Sequence, residues 1–205
     1  MFGKSGLVWV AALALTTLCV LGCGNNEGPG ELFVDAQFDP ATPSDISQPV
    51  REANPAVAQS FVVERTGKLE EFWFIVTDGE SADDGVIRVT VRPANAMGEP
   101  NEDPDSSIID PIDVDTSSLP ATLVETFSVF FVGREPGRQV VVGERYAIVV
   151  EFVSRNTNTD TNAIARVLGQ LGDPYALGTG SAGESGVGFM SNTDDYFFRT
   201  FILAK

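Results

Sequence analysis

The sequence predicts an all-β chain, an antiparallel β-sandwich or barrel, on three observations. Short apolar runs recur from Glu31 onward, divided by turns rich in Gly, Pro and Asp. Val86–Arg92 alternates, with Ile87, Val89 and Val91 on one face and Arg88, Thr90 and Arg92 on the other. That is the period of a strand with one buried face. No window beyond the first 23 residues carries a helical period. Apolar residues make up 43% of the 205, enough for the core of one domain.

Taken in order, residues 1–22 have the parts of a secretory leader: Lys4, an apolar run from Leu7 to Leu21, and small Gly22. Val20-Leu21-Gly22-Cys23 resembles a bacterial lipobox, where the leader is cut and the cysteine becomes the lipidated first residue. An uncleaved anchor is the competing reading. Against it, the apolar run is shorter than the roughly 20 residues of a spanning helix. Gly24, Asn25 and Asn26 also provide no cationic flank. Gly24 lacks the aspartate that retains lipoproteins at the inner membrane in some bacteria, which points to the outer membrane of the cell envelope. Residues 23–30 read as the lipidated cysteine and a polar, turn-rich tether, and residues 31–205 as the sandwich domain.

Within that domain Phe33–Phe38 is a short strand, and Ala41–Pro55, rich in Pro, Ser and Asp, reads as loop. Gln59–Val63 is a core strand, and Thr66-Gly67-Lys68 turns into a strand from Leu69 to Val76. Turn residues occupy Asp78–Gly85, ahead of the alternating strand at Val86–Arg92. Residues 93–108 read as a long acidic surface loop. Pro111 pushes Ile108–Val114 toward a sheet edge, since proline cannot donate to a ladder. Leu123–Val132 and Gln139–Phe152 are the strongest β segments, Ala163–Leu168 fits either type, and Asp195–Leu203 is a last aromatic strand.

Charge and composition exclude several functions. Net charge is -16, and removal of Lys4 with the leader leaves -17, a balance that repels nucleic-acid phosphates. Histidine is absent, which removes Ser-His-Asp and Cys-His catalysis. Of the two cysteines, Cys19 leaves with the leader and Cys23 carries lipid, so the mature domain has no thiol for a disulfide or soft-metal site.

The remaining candidates are acids and rings. Asp78, Glu80, Asp83, Asp84, Asp194 and Asp195 offer the hard oxygen ligands of a structural calcium site, with solvated loop charge as the competing reading. No other cofactor is expected. Trp73, the sole tryptophan after the leader, alternates with Phe72 and Phe74, so one of the two faces is core and the other outer surface or second sheet. Tyr175, in a Gly/Pro-rich loop, is the ring best placed to stand in solvent, with packing as the competing reading, whereas Tyr146 and Tyr196 should pack. Exposed rings of this kind serve carbohydrate recognition.

Ala58-Gln59-Ser60-Phe61, Thr66-Gly67-Lys68-Leu69 and Ser117-Ser118-Leu119-Pro120 form the first part of an ordered set of landmarks. Val142-Gly143-Glu144-Arg145-Tyr146-Ala147-Ile148-Val149, Asp173-Pro174-Tyr175 and Phe198-Arg199-Thr200-Phe201 complete it. The set resembles the choice-of-anchor domains of bacterial surface and exported proteins. The resemblance implies a jelly-roll-like β-sandwich and a cell-surface habit. It implies no activity and supplies no catalytic residue. The long acidic loop after Pro93 departs from the pattern, as does the scarcity of aromatics after Tyr175. The expected protein is a non-catalytic binding or structural module, anchored to the membrane through its lipid, with a surface glycan or protein as partner. A carbohydrate-binding module and a carboxylate-dependent hydrolase are the alternatives.

Overall fold

The computed structural model describes residues 31–38, 46–79, 84–119, 129–130, 139–156, 162–172 and 174–204. The lipobox with Cys23, the acids Glu80 and Asp83, and most of the Leu123–Val132 segment lie outside them. The described residues form antiparallel strands with no α-helix.

In chain order the strands are β1 (Glu31–Phe38), β2 (Ile46–Val50), β3 (Ala56–Val62), β4 (Gly67–Phe74) and β5 (Val76–Asp78). There follow β6 (Gly85–Pro93), β7 (Ile112–Asp115), β8 (Val129–Phe130), β9 (Gln139–Val140) and β10 (Arg145–Arg155). The last are β11 (Ala165–Gln170), β12 (Gly180–Glu184), β13 (Gly188–Ser191), β14 (Asp195–Tyr196) and β15 (Phe198–Ala204). One sheet of six strands runs β13-β12-β3-β10-β6-β7. A second runs β1-β15-β4-β8, with β9 also on β4, and a third runs β14-β11-β2, with β5 on β11.

The main core lies between the six-stranded sheet and the other two. Val57, Phe61, Val89 and Ile148 from the first pack in one cluster with Phe72, Phe74, Val167 and Phe198 from the others. As the alternation predicts, Ile87, Val89 and Val91 are fully buried. Their neighbours Thr90 and Arg92, which alternation alone assigns to solvent, are fully buried too. The reason is that the outer face of this sheet is covered. Ala56, Ala58, Ala147 and Val149 form a second cluster there with Phe189 of β13. The acidic loop after β6 is ordered by side-chain turns: Asn95 Oδ1 accepts from the backbone N–H groups of Met97 and Glu99. It joins the β12–β13 hairpin through Gly186 N–H to the Glu102 carbonyl and Ser191 Oγ to the Met97 carbonyl.

The strand assignments are corrected in several places. The segment read as loop contains β2, which pairs with β11 from Ile46 opposite Gly169 to Val50 opposite Ala165. Pro49 is tolerated because β2 ends its sheet's strand order and one edge needs no donor. Gln139–Phe152 is two strands, interrupted by a turn in which Gly143 takes a φ of 88°. The β12–β13 hairpin went unread because its glycines carry no apolar pattern. Gly183 is there for room, since a Cβ at that position would collide with the Gly188 carbonyl oxygen.

The expected strands Leu69–Val76 and Asp195–Leu203 each break at one residue, Ile75 and Phe197. There β11 meets them in a closed triangle of backbone hydrogen bonds. Ile75 N–H donates to Phe197 O at 3.3 Å, Phe197 N–H to Leu168 O at 3.0 Å, and Leu168 N–H to Ile75 O at 3.1 Å. Ile75, Leu168 and Phe197 form a small separate apolar cluster with Phe38. The break lets the same two strands serve both sheets without orphaning a backbone group. Pro111 has the expected effect, leaving β7 at the edge of the six-stranded sheet.

Candidate functional site

Parity along β15 sorts the surface of the second sheet. Phe198, Thr200 and Ile202 are buried, so Arg199, Phe201 and Leu203 point outward. Register then builds the outward rows: Leu32, Leu203 and Lys68; Val34, Phe201 and Glu71; Gln37, Arg199 and Trp73. Trp73 therefore stands on this outer face, half-buried, while Phe72 and Phe74 are wholly in the core. Its indole N–H donates to Glu71 Oε1 at 2.7 Å. The Arg199 guanidinium lies over its ring at 4.6 Å, and the Phe201 ring sits 5.1 Å away, tilted by 53°. Stacking on Arg199 desolvates little and fixes the indole. Arg199 and Phe201 were missed as partners of Trp73, although the alternation Phe198–Leu203 already held them on one face.

Of the two readings of Tyr175, the structure takes the packed one, and the exposed ring is corrected. Tyr175 is 9% exposed and meets Phe198 edge-on, with centroids 5.0 Å apart. Burial pushes its hydroxyl pKa up, and the charge of Glu64 adds to the effect. Tyr146 and Tyr196 pack as expected, and burial raises the Tyr196 hydroxyl to about 12.

The candidate calcium ligands do not form one group. Asp78 pairs with Ala165 at one end of β11 and Asp195 with Gln170 at the other. Five residues of strand separate them, about 17 Å. Asp78 is half-buried, and its pKa is raised by burial and by the charge of Asp84, against a hydrogen bond from Gly79 N–H. Asp195, expected as loop charge, is fully buried. Its Oδ1 accepts from Gln59 Nε2 at 3.0 Å and its Oδ2 from Tyr175 N–H at 2.8 Å. Gln59 Oε1 in turn accepts from Tyr196 N–H at 2.7 Å. This carboxylate and amide join β3, β14 and the Tyr175 loop across the core. Asp194, its neighbour, remains half-buried at the surface, with its N–H on Asn192 Oδ1. Among the described residues no three His, Cys, Asp or Glu side chains gather to hold a metal ion.

Two further buried acids were not singled out from sequence. Arg92 and Glu151 pair on the outer face of the six-stranded sheet, 0% and 8% exposed. Arg92 also donates to Thr90 Oγ1 at 3.0 Å and to Ser185 Oγ at 2.7 Å, while Ser185 Oγ donates to Glu151. Burial pushes the Glu151 carboxyl up and the Arg92 guanidinium down, and each charge opposes the shift of the other. Both groups are bound by the fold itself.

Asp35, in the irregular stretch of β1, is 6% exposed. It accepts from Glu64 N–H with both oxygens, at 3.1 and 3.2 Å. Burial raises its pKa from 3.8 to about 6, against the backbone hydrogen bonds that lower it. The folded form thus holds this proton more tightly than the unfolded chain. Its contribution to stability is complete below about pH 4 and is lost as pH rises through 6. The loss amounts to about 3 kcal/mol at 1.36 kcal/mol per pK unit. Asp35→Asn should remove this dependence, so that the variant gains stability relative to the native chain between pH 4 and pH 7. Urea denaturation at both pH values measures it, and an equal difference at the two would contradict the assignment.

Comparison of the chain with protein-family models and with curated proteins finds no match.

Proposed function

We propose that the chain is an exported lipoprotein of the cell envelope, cut after Gly22 and acylated at Cys23. Its jelly-roll-like sandwich then acts as a non-catalytic binding or structural module held at the outer membrane. The observation that carries this reading is the leader itself: Lys4, the apolar run Leu7–Leu21, and Gly22-Cys23 in lipobox order. The first described strand starts eight residues after Cys23, so the link from lipid to sheet is short. Several acyl chains give durable anchoring where one gives only marginal binding.

Cys23→Ala tests the anchor. The native chain should incorporate labelled fatty acid and partition into detergent, and the variant should do neither. A variant that keeps its label and its partitioning refutes the reading.

A second reading, a carbohydrate-binding module, is favoured by the outward pairing of Trp73 with Phe201. Its ligand would stack on the side of the indole away from Arg199. A glycan array probed with the native chain and with Trp73→Ala tests it, with glycan signal expected only from the former.

A further inference from the structure

We propose that the outward face of β1, β15 and β4 is a lipid-contact surface that rests on the bilayer to which the chain is tethered. The inference deepens the lipoprotein reading and takes the bilayer from it. Its basis is the geometry of one face.

Leu32 and Val34 are 50% and 42% exposed and stand side by side with Leu203 and Phe201. Aliphatic side chains this open on an antiparallel sheet present apolar surface that water does not favour. They belong to β1, the strand that follows the tether. Between Cys23 and Glu31 lie seven residues, Gly24–Gly30, which even fully extended span about 25 Å at most. Leu32, nine residues on from Cys23, therefore stays within about 32 Å of the lipidated residue. A link so short holds the face at an effective concentration near millimolar, so a weak intrinsic affinity suffices to keep it seated.

The polar groups of the face suit a headgroup boundary. The Trp73 indole N–H is satisfied by Glu71, and the ring lies in the same outward plane as the aliphatic rows. A ring of this amphipathic type settles at membrane–water interfaces. Charges on the face balance: Lys68 pairs with Glu70 at 2.6 Å, while Arg199 and Glu71 both contact Trp73, one over its ring and one at its N–H. The face is thus close to neutral in a chain of net charge -16. Val187 and Met190, more open still at 71% and 78%, belong to the β12–β13 hairpin of the six-stranded sheet and not to the sheet of β1.

Trp73 is its own reporter, since Trp9 lies in the leader. All the described strands and core lie within residues 31–204, so a chain of residues 23–205 carries the fold. Cys23 is then its sole thiol, and coupling it to a maleimide lipid in phosphatidylcholine vesicles makes the tether without cellular processing. Brominated phosphatidylcholine should quench Trp73 and shift its emission to the blue. Leu32→Asp combined with Val34→Asp should abolish most of the quenching, with an unchanged melting curve confirming the fold.

Three results overturn the proposal. One is an unquenched Trp73 in the coupled native domain. Another is full quenching in the double variant. The third is shielding of Trp73 that grows with protein density and not with lipid, which would assign the face to a second copy. Whether cells acylate Cys23 is read separately, from the mass of the N-terminal peptide. An unmodified Cys23 with quenching in the coupled domain would refute the anchor and leave the lipid-binding face standing.

Discussion

Asp195→Ala should destabilise the protein by about 3–5 kcal/mol, because it strips two buried donors of a charged acceptor. The Gln59 amide keeps its second bond, to the Ser60 carbonyl, but loses the one to Oδ1. The Tyr175 N–H loses Oδ2 and is left buried. Neither donor is at the surface, so water replaces the carboxylate poorly. Asp195→Asn should cost less, since one carbonyl oxygen remains to serve one of the two donors. Urea denaturation of both variants measures the difference. A loss under about 1 kcal/mol for the alanine variant would mean the network has an alternative partner set.

Breaking the Arg92–Glu151 pair from one side should cost a similar amount, about 3–5 kcal/mol for Arg92→Met or Glu151→Leu alone. Each single change leaves an uncompensated charge beneath the loop after β6. The double variant should recover most of that loss, because two apolar side chains fill the site without a desolvation penalty. Ser185 is half-buried, so its hydroxyl can turn to water once both partners are gone. A double-mutant cycle in urea gives the coupling energy, and additive losses would show that the two side chains act independently.

These two networks also mark where sequence reading stopped. Val86–Arg92 was legible as a strand because its apolar residues alternate and face one core. The same alternation misplaced Thr90 and Arg92, because nothing local announces that a loop and a hairpin cover the other side. Asp194 and Asp195 looked alike in the chain and proved opposite in kind. A one-residue step along an extended backbone turns a side chain to the other face, so one acid meets the surface and the other the core. Tyr175 sits in a loop of turn residues, and its burial comes from Phe198, 23 positions later. The β12–β13 hairpin was invisible because its glycines report a close backbone approach, which hydropathy does not register.

Residue patterns alone were enough for the all-β class, the inward face of β6, and the edge position of β7. Each is a local consequence of side-chain period and proline chemistry. They were enough also to raise the calcium and carbohydrate candidates. Where those candidates go depended on packing at a distance. The register of β11 holds Asp78 and Asp195 about 17 Å apart, beyond the reach of any one cation. The parity of β15 gathers Trp73, Arg199 and Phe201 onto one outward face beside Leu32 and Val34. Strand pairing joins residues from opposite ends of the chain, and no local window contains both partners.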